Sequence, residues 1–237
     1  MTKKYVKMSY SSDTFRSNVY HGFKKIEPDA FRAVIQYYQE NEPDIKALDF
    51  SEYYELLISY CEALFETGAY QKYLNVCDTA LTTTIQNNIK FYKGDDIFKI
   101  LLFRKAAAHY HILEYKEAEH IVRELIKMNP NDDIAIRFLK KCMRRRRPSY
   151  LNHIRGFSIF LFLLSAMVIC VEILIIRTFF DEHVFKVEAM RTAIFFLASG
   201  LLAGAYLFYR WQVNKKVNTF VEKSKETKKK DHQELVA

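Results

Sequence analysis

Two apolar stretches, residues 157–176 and 192–209, constrain this chain more than any other feature in it. A helix rises 1.5 Å per residue, so 20 residues reach about 30 Å, the thickness of a bilayer's hydrocarbon core. In the first stretch 14 of the 20 residues are Leu, Ile, Phe or Val. On an insertion scale these favour the membrane by about 6 kcal/mol. Its one charge, Glu172, opposes with about 3 kcal/mol at mid-bilayer and less near an end, so the apolar residues win. The second stretch carries no charge, and Tyr206, Tyr209 and Trp211 gather at its end, where an aromatic belt sits. Neither stretch has the polar face that a soluble amphipathic helix needs. The pattern predicts a transmembrane helical hairpin, with residues 177–191 as a short external turn.

Two features inside the hairpin suggest contacts. Gly200 and Gly204 form GxxxG, and Ser199 and Ala203 a second small-xxx-small pair. Such pairs let helices approach closely, so they predict packing against the first stretch or against another copy of the chain as a homodimer. Glu172 is the intramembrane charge, a functional candidate by membrane physics, with Arg191 or Arg177 as its partner.

Charge sets the orientation. The chain carries a net +8, yet residues 1–141 hold 20 basic and 20 acidic side chains. The excess lies beside the apolar stretches: Arg144, Arg145, Arg146, Arg147 and Arg155 before the first, and Arg210, Lys215, Lys216, Lys223 and Lys225 after the second. The turn balances Arg177, Lys186 and Arg191 against Asp181, Glu182 and Glu188. The positive-inside rule then puts both termini in the cytoplasm and the turn outside, in a plasma (bacterial inner) membrane. Juxtamembrane basic clusters attract anionic lipid, here through Arg144, Arg145, Arg146 and Arg147. Nucleic-acid binding fits this distribution poorly, and residues 210–237 read as a basic cytoplasmic tail.

Ahead of the hairpin the chain is neutral and helical in pattern. Residues 1–27 lack strong periodicity and are expected to be partly disordered. From 28 to 147 helix signals follow one another. Phe31, Val34, Ile35 and Tyr38 mark one apolar face. Asp49 with Glu52 resembles a capping box, and Gly68 a helix stop. Gly94 breaks a looser run, Asn129-Pro130 ends another helix, and Asp132 or Asp133 caps the next. Helix, short turn, helix, with no strand signal, predicts an all-α solenoid of antiparallel helix pairs.

In detail these residues resemble the tetratricopeptide repeat, a unit of about 34 residues built from two helices. The better copy spans 99–132, with Ala106 at the small position of its first helix, Tyr115 and Ala118 opening the second, and Pro130 closing it. A poorer copy spans 54–87, keeping Gly68, Tyr70 and Ala80 but with Tyr73 where Ala is usual. The copies start 45 residues apart, so an insertion is placed around 86–96, and the last helix looks like half of a third copy. The resemblance implies a TPR-like scaffold whose first helices line a partner-binding groove. Its groove positions fall on Glu55, Ile58, Glu62 and Phe65, on Ile100, Phe103, Ala107 and Tyr110, and on Arg137 and Lys141, with Arg144 beyond. The Lys/Asn clamp by which some repeats hold a C-terminal carboxylate is unmatched, since Ile58, Glu62, Phe103 and Ala107 stand there.

No catalytic constellation, P-loop, metal motif or cofactor fingerprint occurs. His109 and His111, two residues apart, point to different faces of a helix, and the four cysteines have no ligand spacing. The chain reads as a non-enzymatic, membrane-anchored protein–protein interaction scaffold with an unknown protein partner. The alternative makes the hairpin the functional part, as a small accessory subunit of a transport or envelope-assembly complex.

Overall fold

The computed structural model describes residues 18–146, 148–176 and 184–234. The chain is all-α but for one two-residue ladder. It divides into two compact units, Met1–Cys142 with Thr227–Ala237, and Met143–Glu226.

In the first unit α1 (Asn18–Lys24), α2 (Phe31–Glu40) and α3 (Glu42–Lys46) lead into α4 (Phe50–Glu66) and α5 (Tyr70–Gln86). After the ladder come α6 (Ile97–His111), α7 (Tyr115–Met128) and α8 (Asp133–Arg145). From α4 to α7 each helix packs on its neighbour in sequence, and α2 packs on α4. Local chemistry explains the ends. Asp49 caps α4 by accepting from the Ser51 N–H, 3.4 Å. Gly68, at φ 76, closes α4: its N–H reaches Phe65 O at 3.1 Å, and the Ala69 N–H reaches Leu64 O at 2.9 Å. The same double closure ends α6 on Leu113, at φ 69. A leucine in the left-handed region costs about 1–2 kcal/mol. Of the two capping candidates for α8, Asp132 does it, accepting from the N–H groups of Ile134 and Ala135 at 3.0 and 3.3 Å.

Two segments differ from the expectation. Residues 1–17 lie outside the described part, but 18–24 form a helix with Tyr20 and Phe23 buried. Two buried residues are too few to register as periodicity. The insertion at 86–96 holds a small hairpin, β1 (Phe91–Tyr92) and β2 (Asp95–Asp96), with Phe91 opposite Asp96. Lys93 and Gly94, at φ 52 and 95, supply the double positive-φ turn that matches strand twist. Gly94 therefore turns the chain rather than only stopping a helix. The hairpin inserts Tyr92 edge-on to Tyr54, centroids 5.7 Å apart.

The core runs between the helix pairs. Ala80, Ala106 and Ala118 are fully buried, as small residues at helix contacts must be for backbones to approach. Tyr73 is also fully buried, and its hydroxyl donates to Leu101 O across the α5–α6 contact, 3.3 Å. Its bulk is accommodated rather than excluded.

In the second unit α9 (Ser149–Val171) continues as one π-helical turn, Glu172–Ile176, and α10 runs unbroken over Val184–Glu234. Both helices contain a segment long and apolar enough to cross a bilayer, and only 17% and 11% of those windows are buried. A soluble core helix would be mostly buried, whereas these two segments are mostly exposed. Residues 177–183 of the expected turn, with Arg177, Asp181 and Glu182, lie outside the described part, as does Arg147. Residues 210–234 of the basic segment continue α10 as a helix. They contain no Gly or Pro to stop a helix.

Candidate partner-binding face

Groove positions from the two copies divide into covered and open. Glu55 on α4 is 3% exposed. Its two carboxylate oxygens accept from the Tyr20 hydroxyl and the Lys24 ammonium of α1, each at 2.5 Å. Ile58, one turn on, is buried too. The Glu55 end of the expected groove is thus covered by the chain's own helix α1. Ala107 and Tyr110 on α6 are also buried. Tyr110 lies 5.5 Å from the ring of Phe138 on α8 and 5.3 Å from that of Tyr115. Phe103 meets Phe138 as well, at 5.2 Å. These aromatic positions hold α8 against α6. Glu55, Ile58, Ala107 and Tyr110 therefore do not form an open surface.

The open remainder carries charge. Glu62, with a side chain 48% exposed, accepts from Arg104 at 2.8 Å. The same guanidinium reaches Glu66 at 3.8 Å and lies 5.6 Å over the ring of Phe65. Phe65 stands edge-on to Tyr70 and Tyr73, and Ile100 is half-buried. Lys141 sits 4.8 Å over the ring of Tyr110, while Arg137 is exposed. The structure thus joins Glu62 to Phe65 through Arg104, and Phe103, Tyr110 and Lys141 around Phe138. Arg137 joins neither group. Arg104 and Phe138 are the residues that sequence reasoning missed. Arg104 interrupts the apolar run Ile97–His111, and a charge in such a run is the signal that it faces a partner.

Among the described residues no group of three His, Cys, Asp or Glu could hold a metal. His109 pairs with Glu114 at 2.7 Å, and His111 stacks on Tyr70 at 4.5 Å, so the two imidazoles diverge. Burial pushes the Cys77 thiol up to about 11 and that of Cys142 to about 12. Burial also raises Cys61. All three are protonated at neutral pH and poor nucleophiles.

The hairpin residues sort differently. On α9, Ser158, Ser165 and Glu172 recur every seven residues and are buried, as is Ala198 on α10. Phe162 meets Phe195 at 5.5 Å, and Tyr150 donates to Gln212 at 3.4 Å, so the two helices run antiparallel. Arg191 donates to Glu172 at 2.9 Å, and Glu172 is 1% exposed. Arg177, the other cation named for it, lies outside the described residues. Ser199, Gly200, Ala203 and Gly204 are all exposed. A Cβ on either glycine would meet nothing within 4 Å. The small-residue face therefore points away from α9. Tyr206 and Trp211 are exposed, but Tyr209 turns inward and donates to the carbonyls of Met143 and Arg146 at 2.6 and 3.0 Å. In the basic cluster Arg144 is drawn to Asn214 at 3.1 Å, leaving Arg145 and Arg146 exposed. Comparison with protein-family models, curated proteins and solved structures finds no match for the chain.

Proposed function

We propose that the chain is a membrane-anchored interaction scaffold: a TPR-like helical array, tethered by a transmembrane hairpin with both termini in the cytoplasm of a plasma (bacterial inner) membrane, that recruits a protein partner. The observation behind this reading is the contrast between the two units. Large exposed apolar side chains crowd α9 and the apolar part of α10, from Phe157 to Trp211. That is what lipid demands and water does not tolerate. The array, by contrast, exposes its large apolar residues only singly, as at Ile85, Leu113 and Ile134, keeps most of them buried, and shows charge at its groove positions. The partner docks on the open part of that face, around Glu62, Phe65, Arg104, Arg137 and Lys141. Arg145 and Arg146 add attraction to anionic headgroups.

A second reading is favoured by one observation. Glu172 and Arg191 form an ion pair beside a π-helical turn, and π-turns recur at functional sites. There the hairpin itself would be the working part of a larger transport or envelope complex. Photo-crosslinkers placed singly at Glu62, Arg137 and Gly200 of the full chain, in intact membranes, separate the two. Capture of a protein from Glu62 or Arg137 is the expected result. Capture from Gly200 alone hands the function to the hairpin.

A further inference from the structure

Helix α1 covers Glu55, one of the positions that the repeat geometry reserves for a partner, if the array is a scaffold as proposed above. It has seven residues, too few to be helical unaided, so it is ordered by what it docks on. Tyr20 and Lys24 hold the two oxygens of Glu55. The Val19 carbonyl accepts from the Tyr37 hydroxyl of α2 at 2.7 Å, and the Phe23 ring lies 6.3 Å from that of Tyr37. Gly22 comes so close that a Cβ there would stand 2.3 Å from the Tyr37 oxygen. The seat is shaped for a helix with a glycine at its crossing point.

The seat is also charged. A buried carboxylate held by an ion pair gains little over an apolar residue of the same volume when the contact is permanent. Such a pair makes sense in a contact that opens, because a released Glu55 returns to water and Lys24 is already 41% exposed. We propose that α1 is a cis-acting cover on a helix-docking seat formed by Tyr37, Glu55 and their neighbours. It competes with a partner helix of the same chemistry: two aromatic residues three apart, followed directly by a lysine. Recruitment then requires α1 to be displaced.

The test uses the full chain in detergent micelles and a fluorescent peptide copying residues 18–27. In the double variant Tyr20→Ala/Phe23→Ala the cover is released while the seat is intact. The peptide should bind this variant at least about tenfold more tightly than the wild type, whose seat is occupied. Adding Glu55→Gln to the released variant should remove that gain. Equal binding to the wild type and the released variant, or binding to neither, overturns the proposal. So does loss of cooperative melting in the released variant, which would make α1 a permanent part of the core. Peptide exchange without any capture from Glu62 or Arg137 in membranes would sustain the cover and sink the scaffold. Capture that is unchanged by release would sink the cover alone.

Discussion

Tyr73 sets the distance between α5 and α6. Its ring is fully buried, its hydroxyl donates to Leu101 O, and the Cys77 thiol donates to that hydroxyl at 3.3 Å. The resembling repeats carry alanine here, so restoring alanine looks harmless on paper. The structure says otherwise, because the neighbouring helices are already spaced for a phenol. Tyr73→Ala should cost about 4 kcal/mol through the cavity it leaves. Tyr73→Phe should cost about 1 kcal/mol for the lost hydrogen bond. Denaturant titration of the detergent-solubilised chain measures both, and a neutral Tyr73→Ala would mean the helices close up. Asp132 is a different kind of residue. Burial raises its pKa, but the Lys99 ammonium at 2.7 Å and the N–H groups of Ala135 and Ile134 outweigh burial and hold it below the usual carboxylate value. A depressed carboxylate stabilises the fold above its unfolded pKa and loses that contribution as pH falls through the folded one. At neutral pH Asp132→Ala should cost about 1–2 kcal/mol for the cap. Asp132→Asn, which keeps a capping oxygen, should cost less. The gap in melting temperature between wild type and Asp132→Asn should shrink as pH drops below about 4. A gap that grows on acidification would rule out this role for Asp132.

At the scale of elements, the sequence was most readable where one physical demand acts alone. The apolar stretches declare themselves because lipid admits no compromise, and Gly68 declares a helix end because only glycine sits easily at its φ. Leu113 closes α6 in the same way and gives no such signal, since position and not residue type makes the closure. Helix α1 is silent for a related reason: its Tyr20, Phe23 and Lys24 matter only once Glu55 stands opposite, and that pairing spans more than 30 positions of chain. The groove was misjudged at Glu55, Ile58, Ala107 and Tyr110, because spacing places a residue on a face without saying what already covers it. The hairpin shows the same division. Its two long apolar helices were legible, whereas the seam through Ser158, Ser165 and Ala198 was hidden behind the more conspicuous GxxxG. Glu172 and Arg191 lock that seam at one end. Removing one partner of a buried ion pair typically costs about 3–5 kcal/mol. Arg191→Ala should therefore weaken the hairpin strongly, and the exchanged pair Glu172→Arg/Arg191→Glu should recover most of the loss. Thermal unfolding in micelles reads both. An unstable exchanged pair beside a stable Arg191→Ala variant would show that the two groups act separately.

For the molecule as a whole, length is the strongest topological argument. α10 has 51 residues and so extends about 76 Å, more than twice a hydrocarbon core. Most of the excess lies after Tyr209, where eight of the 28 residues from 210 to 237 are Lys or Arg. On the reading proposed above, that end stays out of lipid and on the cytoplasmic side, as the positive-inside rule has it. Cysteine chemistry makes the arrangement measurable without removing any native residue. Cys61, Cys77 and Cys142 are buried in protein, and Cys170, though exposed on α9, faces lipid on this reading. In intact membranes a water-soluble maleimide should therefore label none of the four, and all four only after denaturation. Against that silent background Lys216→Cys and Lys225→Cys, both at exposed positions, should react when the cytoplasmic face is opened and stay dark in sealed cells. Labelling from outside sealed cells would invert the topology. A native Cys170 that reacts in detergent-free buffer would take α9 out of the membrane altogether, and with it the anchor on which recruitment depends.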